Sequence, residues 1–283
     1  MIRRVGFLQP PGTFGEEAAL LYAPDAELVP LPSNGAIVVA VETGDVDEGV
    51  VPVENSLDGP INETLDGLIR HEHVYLRTEL VLPVEQNLIA ARGTTMEQIT
   101  VVMSHPSALA QCRAFLESKL PLARLEATLS TAGAAAVAAR QFGTAAIGTR
   151  RAAELAGAEI LAETIQDTAH NVTRFLALGR EDARPSGLDK TSIAFMVAHD
   201  QPGTLLGVLQ ELADRSLNLT RIESRPSRES LGVYVFQIDF EGHREDPSVA
   251  AALSGIEAHA QYFRLLGSYP QAVRQTATDG NGT

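Results

Sequence analysis

Short apolar runs alternate with amphipathic stretches along the first 180 residues. Apolar runs bounded by turn residues predict buried strands, and apolar residues spaced three or four positions apart predict helices. The predicted strands are Val5–Leu8, Gly49–Val53, Ile99–Met103, Ala145–Gly148 and Arg174–Leu178, and the predicted helices are 15–23, 62–72, 106–119, 131–141 and 149–156. This alternation is typical of an α/β domain with largely parallel sheets.

An extended stretch at 73–91 interrupts the alternation, and a second set of strand–helix units follows it. We therefore expect a domain at 1–180 that consists of two α/β lobes with a cleft between them. Glycine, proline and charged residues without periodicity then predict a linker at 181–190.

The order of elements changes after the linker. The pattern predicts a strand at 191–198, a helix at 202–215, strands at 218–224 and 231–240, a helix at 246–258 and a strand at 262–266. This βαββαβ order is ferredoxin-like and defines a second domain at 191–270. The polar stretch 271–283 is predicted to be disordered.

Charge and composition exclude several classes of function. The formal net charge of -14 argues against binding to nucleic acid or an anionic membrane, because both need Lys and Arg at the contact surface. No apolar run is long enough for a membrane span, and the apolar stretch in MIRRVGFLQPPGTFG is too short for a signal peptide. Cys112 is the only cysteine and builds no disulfide within the chain. We expect a cytoplasmic protein.

Polar side chains lie where predicted strands give way to helices. Thr13 follows a strand in QPPGTFGEEA, where free N–H groups and the helix dipole favour an anion. Asn55 and Ser56 end the strand Gly49–Val53, and ligands of open α/β sheets bind at such carboxyl ends. Thr64 lies near the start of the following helix. Helix caps and turn residues are the alternative interpretation of these side chains.

Two further junctions carry candidate residues. In MSHPSALAQC, His105 is a proton donor or a helix cap, and Ser107 and Gln111 lie one helical turn apart. In LSTAGAA, Ser130 and Thr131 are binding hydroxyls or ordinary caps. Cys112 is interpreted as an inert core residue.

The stretch HNVTRFLALG begins a buried strand with three strong hydrogen-bonding groups, the side chains of Asn171, Thr173 and Arg174. Arg174 either lies in the cleft or points to the scaffold. Because adjacent strand residues face opposite sides, Arg174 points to the scaffold if Thr173 faces the cleft. Such groups can bind carboxylates and assist a leaving group. They are poorly suited to generating a strong base.

Motifs for other chemistry are absent from the sequence. There is no G-x-S-x-G nucleophile elbow and no phosphate loop, and the pair His71 and His73 has no further ligands nearby in sequence. We expect neither a metal nor a cofactor.

Taken together, these segments resemble those of prephenate dehydratases. The matching segments are, in the family's order, GTFGEEA (12–18), VPVENS (51–56), HPSALAQC (105–112), ST (130–131) and NVTRF (171–175), followed by KTS (190–192), PGTLLGVL (202–209), NLTRIESRP (218–226) and LGSYP (266–270). The later segments are similar to the ACT domain of that family. Gly15 and Thr204 depart from the residues usual in the family.

The resemblance implies a fold and an activity. The fold would be a bilobal α/β catalytic domain related to type II periplasmic binding proteins, followed by an ACT domain. The activity would be the conversion of prephenate into phenylpyruvate, carbon dioxide and water in phenylalanine biosynthesis, with feedback regulation by L-phenylalanine. The chain would carry this activity alone, since an N-terminal chorismate mutase region is missing. A homodimer or homotetramer is expected, because an ACT unit exposes a sheet edge.

Residue roles follow from the same resemblance. Thr173 is the implied donor to the departing hydroxyl. The implied substrate-binding residues are Thr13, Asn55, Ser56, Thr64, His105, Ser107, Gln111, Ser130, Thr131, Asn171, Arg174 and Phe175. The implied L-phenylalanine-binding residues are Gly203, Thr204, Leu205, Leu206, Asn218, Glu223, Ser224, Arg225 and Pro226. An arogenate dehydratase and a small-molecule binding protein without catalysis are the alternatives.

Overall fold

The computed structural model describes residues 2–197, 202–227 and 233–272. The chain divides into two compact units. The first unit consists of Met1–Gly67 and Leu82–Leu176, and the second consists of Leu68–Val81 and Ala177–Thr283.

Strands and helices are labelled here in chain order within the described residues. The strands are β1 (Arg4–Leu8), β2 (Glu27–Leu31), β3 (Glu48–Asn55), β4 (Gly59–Pro60), β5 (Tyr75–Pro83), β6 (Asn87–Ala90), β7 (Val101–Ser104), β8 (Arg124–Ala127), β9 (Thr144–Gly148), β10 (Glu159–Ala162), β11 (Val172–Gly179), β12 (Asp189–Met196), β13 (Leu219–Pro226), β14 (Tyr234–Glu241) and β15 (Tyr262–Pro270). The α-helices are α1 (Phe14–Tyr22), α2 (Asn34–Thr43), α3 (Asn62–Arg70), α4 (Pro106–Gln111), α5 (Arg113–Lys119), α6 (Thr131–Ala138), α7 (Arg150–Ala156), α8 (Thr204–Ala213) and α9 (Pro247–His259).

The α/β region contains two sheets. One has the strand order β2-β1-β3-β11-β5, with β4 beside β3, and β1 runs parallel to both β2 and β3. The other has the order β10-β6-β9-β7-β8. In it, β7 runs parallel to β8 and β9, whereas β6 runs antiparallel to β9 and β10. The expectation of largely parallel sheets is therefore too simple. Strand β6 lies at the end of the extended stretch 73–91 and is not preceded by a helical crossover, which only a parallel pair needs.

Strand β2 and helix α2 were not predicted. The helix contains the β-branched run Ile37–Val39, which carries no clear helical signal. The local caps nevertheless suit a helix, because the Ser33 hydroxyl accepts a hydrogen bond from the Ala36 N–H at 3.0 Å and Gly44 ends the helix with φ +82°. A Cβ atom at Gly49 would collide with Ile37, so the glycine lets α2 pack closely against β3.

The predicted helix 106–119 is divided into α4 and α5 at Cys112, whose φ is -115° and ψ is 21°. Asp167 stabilises this break. Its backbone N–H donates to the Gln111 carbonyl at 2.7 Å, and its carboxylate accepts from the Ala114 N–H at 3.1 Å. A contact with a residue so distant in sequence could not be predicted from local periodicity.

Alternation along β6 and β9 creates a hydrophobic core on each side of their sheet. Leu88 and Ile147 belong to one core, which also contains Cys112. Ile89 faces the other core, where the buried helix residues are mainly alanines of α6 and α7. These small side chains allow α6 and α7 to approach the sheet closely.

The second unit contains a four-stranded antiparallel sheet with the order β13-β14-β12-β15. Helices α8 and α9 contribute Val208, Leu212, Val249, Ala252 and Ile256 to its core. The predicted βαββαβ order is confirmed for the described residues. Positions 198, 231 and 232, which were predicted to lie in strands, and the stretch 273–283 of the tail fall outside the described residues.

A buried ion pair also belongs to the second unit. The Lys190 ammonium lies 3.0 Å from both carboxylate oxygens of Glu79.

The longest of the described helices, α9, has 13 residues. None of the described helices is long and apolar enough to cross a membrane.

Candidate active site

A cavity of about 360 Å³ opens in the first unit. Nine of the residues that were predicted to bind substrate or to take part in catalysis line this cavity: Thr13, Asn55, His105, Ser107, Gln111, Ser130, Thr131, Thr173 and Phe175. They come from different sheets and helices, so the fold brings together side chains that are far apart in sequence. Their placement is consistent with a single ligand site.

Three helices begin at this cavity, and their N-cap residues line it. The Thr13 hydroxyl accepts from the Glu16 N–H at 3.4 Å, the His105 Nδ1 atom accepts from the Ser107 N–H at 3.3 Å, and the Ser130 hydroxyl accepts from the Gly133 N–H at 3.0 Å. The two interpretations of these residues are therefore compatible, because each one caps a helix and also lines the cavity. None of the described lining residues is Lys or Arg. The positive ends of these helices favour a bound anion.

Asn55 and Thr173 form the central hydrogen bond of the site. The Asn55 Oδ1 atom accepts from the N–H groups of Leu57 and Asp58, both at 2.9 Å. This fixes the orientation of the amide, and its Nδ2 atom donates to the Thr173 Oγ1 atom at 2.9 Å. Because Thr173 Oγ1 accepts this bond, its own proton remains available for another acceptor. Asn55 is therefore a turn residue that also lines the cavity.

Four predicted binding residues are not part of the cavity lining. Thr64 is fully buried and donates to the Pro52 carbonyl at 2.7 Å. The Ser56 hydroxyl accepts from the Val172 N–H at 3.0 Å, and the Asn171 Oδ1 atom accepts from Asn55 Nδ2 at 2.9 Å. These side chains hold the strand ends together around Asn55 and Thr173.

Arg174 is the fourth of these residues. Thr173 and Phe175 line the cavity, whereas the Arg174 guanidinium lies 4.0 Å from the Glu54 carboxylate. Alternation along β11 explains this difference, because neighbouring strand residues point to opposite faces. Of the two positions predicted for Arg174, these contacts favour the scaffold position, outside the cavity lining.

Sequence reasoning missed eleven lining residues: Leu8, Gln9, Phe14, Gly15, Pro52, Asp58, Ile61, Val84, Gln86, Ala108 and Leu129. Asp58 lies two residues after the segment VPVENS, so its position relative to Asn55 was a usable signal. Gln86 lies in the extended stretch before β6, and nothing local in the sequence distinguishes it. Its side chain is buried and lies at the cavity only because of the tertiary fold.

Cys112 is buried beside α4 and does not line the cavity. Burial, and to a smaller extent the nearby charge of Asp167, raises the pKa of its thiol to about 12. A thiol with this pKa is neutral and unreactive near pH 7. Within the described part of the chain, no group of three His, Cys, Asp or Glu side chains could hold a metal ion.

The predicted effector residues lie at two places in the second unit. Gly203 has φ +91° and precedes α8, whose first residues are Thr204, Leu205 and Leu206. Asn218 precedes β13, and Glu223, Ser224, Arg225 and Pro226 belong to that strand. Leu206 is 65% exposed although it is apolar.

A second cavity, of about 310 Å³, also lies in the second unit. It is lined by Glu72, Tyr75, Arg244, Tyr262, Phe263, Arg264 and Leu265, none of which was predicted to bind substrate or effector. The cavity of the first unit is the stronger candidate for catalysis, because it contains the Thr173 hydroxyl and three helix N-termini.

Comparison with known proteins agrees with the sequence resemblance. The family profile described as prephenate dehydratase matches residues 5–183, and the ACT domain profile matches residues 192–258. The chain is 40% identical to the prephenate dehydratase of Amycolatopsis methanolica, over 97% of this chain and 91% of that protein. It is 41% identical to arogenate dehydratase 1 of Petunia hybrida, over 94% of this chain and 66% of that protein.

A solved structure agrees as well. It is the prephenate dehydratase of Arthrobacter aurescens in complex with L-Phe, with a TM-score of 0.88 and 36% identity, covering 94% of this chain and 90% of that one. The predicted fold class, a bilobal α/β domain followed by an ACT domain, is confirmed. The chain therefore belongs to the prephenate dehydratase family.

Proposed function

We propose that the chain catalyses the decarboxylating dehydration of prephenate to phenylpyruvate, with Thr173 as the residue that assists the departing hydroxyl. The hydrogen bond from Asn55 to Thr173 at 2.9 Å carries this proposal. It directs the Thr173 proton away from Asn55, in a cavity that the same hydroxyl lines.

The chemistry needs little from the protein. The carboxylate departs as carbon dioxide, the electron pair of its bond moves into the ring, and the carbon–oxygen bond breaks. The departing hydroxide takes up one proton from solvent and leaves as water. Because the ring becomes aromatic, the reaction is strongly downhill. The Thr173 hydroxyl is too weakly acidic to transfer its proton fully, so it stabilises the developing negative charge on the leaving oxygen by hydrogen bonding.

Binding of the two prephenate carboxylates is assigned to the helix N-termini at the cavity. Ser130 and Thr131 supply hydroxyl donors beside the N–H groups of α6, and Ser107 does so at α4. The Thr13 hydroxyl donates to the Leu8 carbonyl at 3.2 Å, so Thr13 caps α1 at the cavity and the N–H groups of α1 face the ligand. In this proposal Ser56, Thr64, Asn171 and Arg174 support the site instead of contacting substrate.

The direct test is turnover of prephenate by the purified chain. Phenylpyruvate is detected by its absorbance in alkali, and no cofactor is added. Catalysis well above the uncatalysed rate is expected. Saturable binding of prephenate without turnover would instead support the alternative of a non-catalytic binding protein.

Arogenate is the second candidate substrate, and the 41% identity to arogenate dehydratase 1 of Petunia hybrida favours its inclusion. Arogenate carries an amino group where prephenate carries a keto group, and both lose the same carboxylate and hydroxyl. Rates with the two substrates should be measured in parallel, with phenylalanine as the product of arogenate. A higher kcat/KM for arogenate would reassign the substrate and leave the role of Thr173 unchanged.

We further propose that L-phenylalanine binds the ACT domain at Gly203–Leu206 and Glu223–Pro226 and inhibits the enzyme. The exposed Leu206 side chain suits contact with a phenyl ring, and backbone groups near Gly203 and Ser224 suit the zwitterion. Inhibition requires tighter binding of phenylalanine to the less active state, typically by about 1–3 kcal/mol. The domain limits in this proposal are 1–180, 181–190 for the linker and 191–270.

Point variants of the full chain test this regulation better than truncation. Removal of residues after Pro185 would also remove Lys190 and leave the buried Glu79 carboxylate without its ion-pair partner. Leu206→Ala and Ser224→Ala should weaken inhibition by phenylalanine and spare the uninhibited rate. Ser254→Ala, on the exposed side of α9, is the matched control. Unchanged inhibition in both test variants would place the effector site elsewhere.

A homodimer or homotetramer and a cytoplasmic location complete the proposal. Strand β13 lies at an edge of the described sheet, and its Ile222 side chain is 45% exposed, which pairing with a second copy would cover. Light scattering that shows a monomer at micromolar concentration would contradict the oligomer. A single cysteine suits a reducing compartment, and cell fractionation tests the location.

A further inference from the structure

Asp58 places a carboxylate in the cavity that, under the proposed function, binds a substrate with two carboxylates. Asp58 is exposed, and its negative charge still opposes a ligand with two negative charges in the same cavity. No Lys or Arg among the described lining residues offsets this charge. A residue that opposes binding by its charge needs another role to explain its position.

The contacts of Asp58 indicate that role. The Gln111 Nε2 atom donates to the Asp58 Oδ2 atom at 3.2 Å. A carboxylate can only accept hydrogen bonds, so Asp58 selects the NH₂ end of the Gln111 amide and excludes its oxygen. At the other end, the Gln86 Nε2 atom donates to the Gln111 Oε1 atom over a long distance of 3.5 Å. Both neighbours therefore favour the same orientation of this amide.

Hydrogen bonds from the surrounding backbone hold Gln111 and its two neighbours in place. Its carbonyl accepts from the Asp167 N–H at 2.7 Å at the end of α4. The Asp58 N–H donates to Asn55 Oδ1 at 2.9 Å, and the Gln86 N–H donates to Gln166 Oε1 at 3.0 Å. Asp58 and Gln86 are therefore themselves held in place on either side of the Gln111 side chain.

We propose that Asp58 is a positioning residue that makes Gln111 present an N–H group, and not its carbonyl oxygen, to a carboxylate of the bound substrate. The Gln111 Nε2 atom carries two hydrogens; Asp58 accepts one and the other serves the ligand. With the opposite orientation, Gln111 Oε1 would face an anion and repel it. This inference rests on the proposed function for the identity of the ligand as a carboxylate anion.

Asp58→Asn tests the proposal, because positioning and charge repulsion predict opposite changes in KM for prephenate. Asparagine has almost the same shape but offers an oxygen or an NH₂ group, so it no longer selects one orientation of Gln111. We expect KM for prephenate to rise about tenfold, the scale of one hydrogen bond to a charged group, with kcat within about twofold of wild type. If Asp58 acted through its charge alone, its removal would lower KM. A lowered or unchanged KM overturns the proposal.

A double-mutant cycle separates positioning from general damage. In a Gln111→Ala background, Asp58→Asn should raise KM no further, because the side chain that Asp58 orients is gone. Independent effects of the two substitutions would contradict the proposed coupling. Asp25→Asn, at an exposed position outside the cavity, is the control for the loss of one negative charge and should leave KM unchanged.

Calorimetric titration with phenylpyruvate gives a reading that does not depend on turnover. Phenylpyruvate retains one carboxylate, and Asp58→Asn should weaken its binding about tenfold. Equal affinity in wild type and variant overturns the inference. If the wild-type chain turns over neither prephenate nor arogenate, the proposed function fails, and the titration still decides whether Asp58 orients Gln111 for an anion.

Discussion

Replacement of Thr173 by alanine removes the hydroxyl on which the proposed mechanism depends. Thr173 is only 8% exposed, and its Oγ1 atom accepts from Asn55 Nδ2 at 2.9 Å. Loss of one donor positioned at the departing oxygen should lower kcat about 10²-fold. That factor corresponds to about 2.7 kcal/mol of transition-state stabilisation.

The effect on stability should be smaller than the effect on catalysis. In Thr173→Ala, the Asn55 amide still donates to Asn171 Oδ1 at 2.9 Å and to the Val172 carbonyl at 3.3 Å. Only one hydrogen bond is lost, at a cost of about 1 kcal/mol in the free energy of unfolding. The variant should therefore remain folded, and its rate should report on chemistry.

The assay compares initial rates of phenylpyruvate formation at saturating prephenate with urea unfolding of the same preparations. Thr173→Ser keeps the hydroxyl and should retain more activity than Thr173→Ala. Ser104→Ala is the matched control, because its buried hydroxyl donates to the Ile147 carbonyl at 2.7 Å away from the cavity lining. It should lose stability of similar size and keep its turnover.

One result would refute the reasoning. If Thr173→Ala turns over prephenate within about threefold of wild type, while its unfolding midpoint shows that it is folded, the leaving hydroxyl does not depend on Thr173. Equal losses in Thr173→Ala and Ser104→Ala would likewise show that the loss reflects stability and not a positioned donor.

Three further predictions follow from other parts of the structure. The Cys112 thiol, with its pKa raised to about 12 by burial, should be protonated throughout pH 6–10, so a thiol reagent should label the folded chain only very slowly and the urea-unfolded chain quickly; fast labelling of the folded chain would contradict this. Lys190→Met should lower the free energy of unfolding by about 3–5 kcal/mol, because it breaks the ion pair between Lys190 and the buried Glu79 carboxylate, and a Lys190→Met/Glu79→Leu double variant should recover much of the loss in urea titrations. Activity should be the same before and after treatment with EDTA, because no metal-binding group of side chains occurs in the described residues, and loss of activity that a divalent ion restores would overturn this expectation.

The sequence by itself determined the class of fold and the order of its elements. Strand β9 and the Phe175–Leu178 part of β11 are mainly apolar runs, and hydrophobic patterning is a local property that a single chain displays directly. The caps were equally local: Thr13, His105 and Ser130 were recognisable as helix starts from their own neighbours in sequence. The signature segments led to the family because their order along the chain is itself sequence information.

Only the tertiary structure decided which side chains meet. Asn55 and Thr173 are 118 residues apart in sequence, and Asp58 and Gln111 are 53 residues apart, so no local pattern relates them. The same limit applies to α4 and α5, where Asp167 ends one helix and begins the next. Hydrogen bonds depend on distance and direction in space. The packing of strands and helices therefore decides how the Asn55 and Gln111 amides are oriented. It also decides that Arg174 lies outside the cavity lining, and the neighbouring residues in sequence do not.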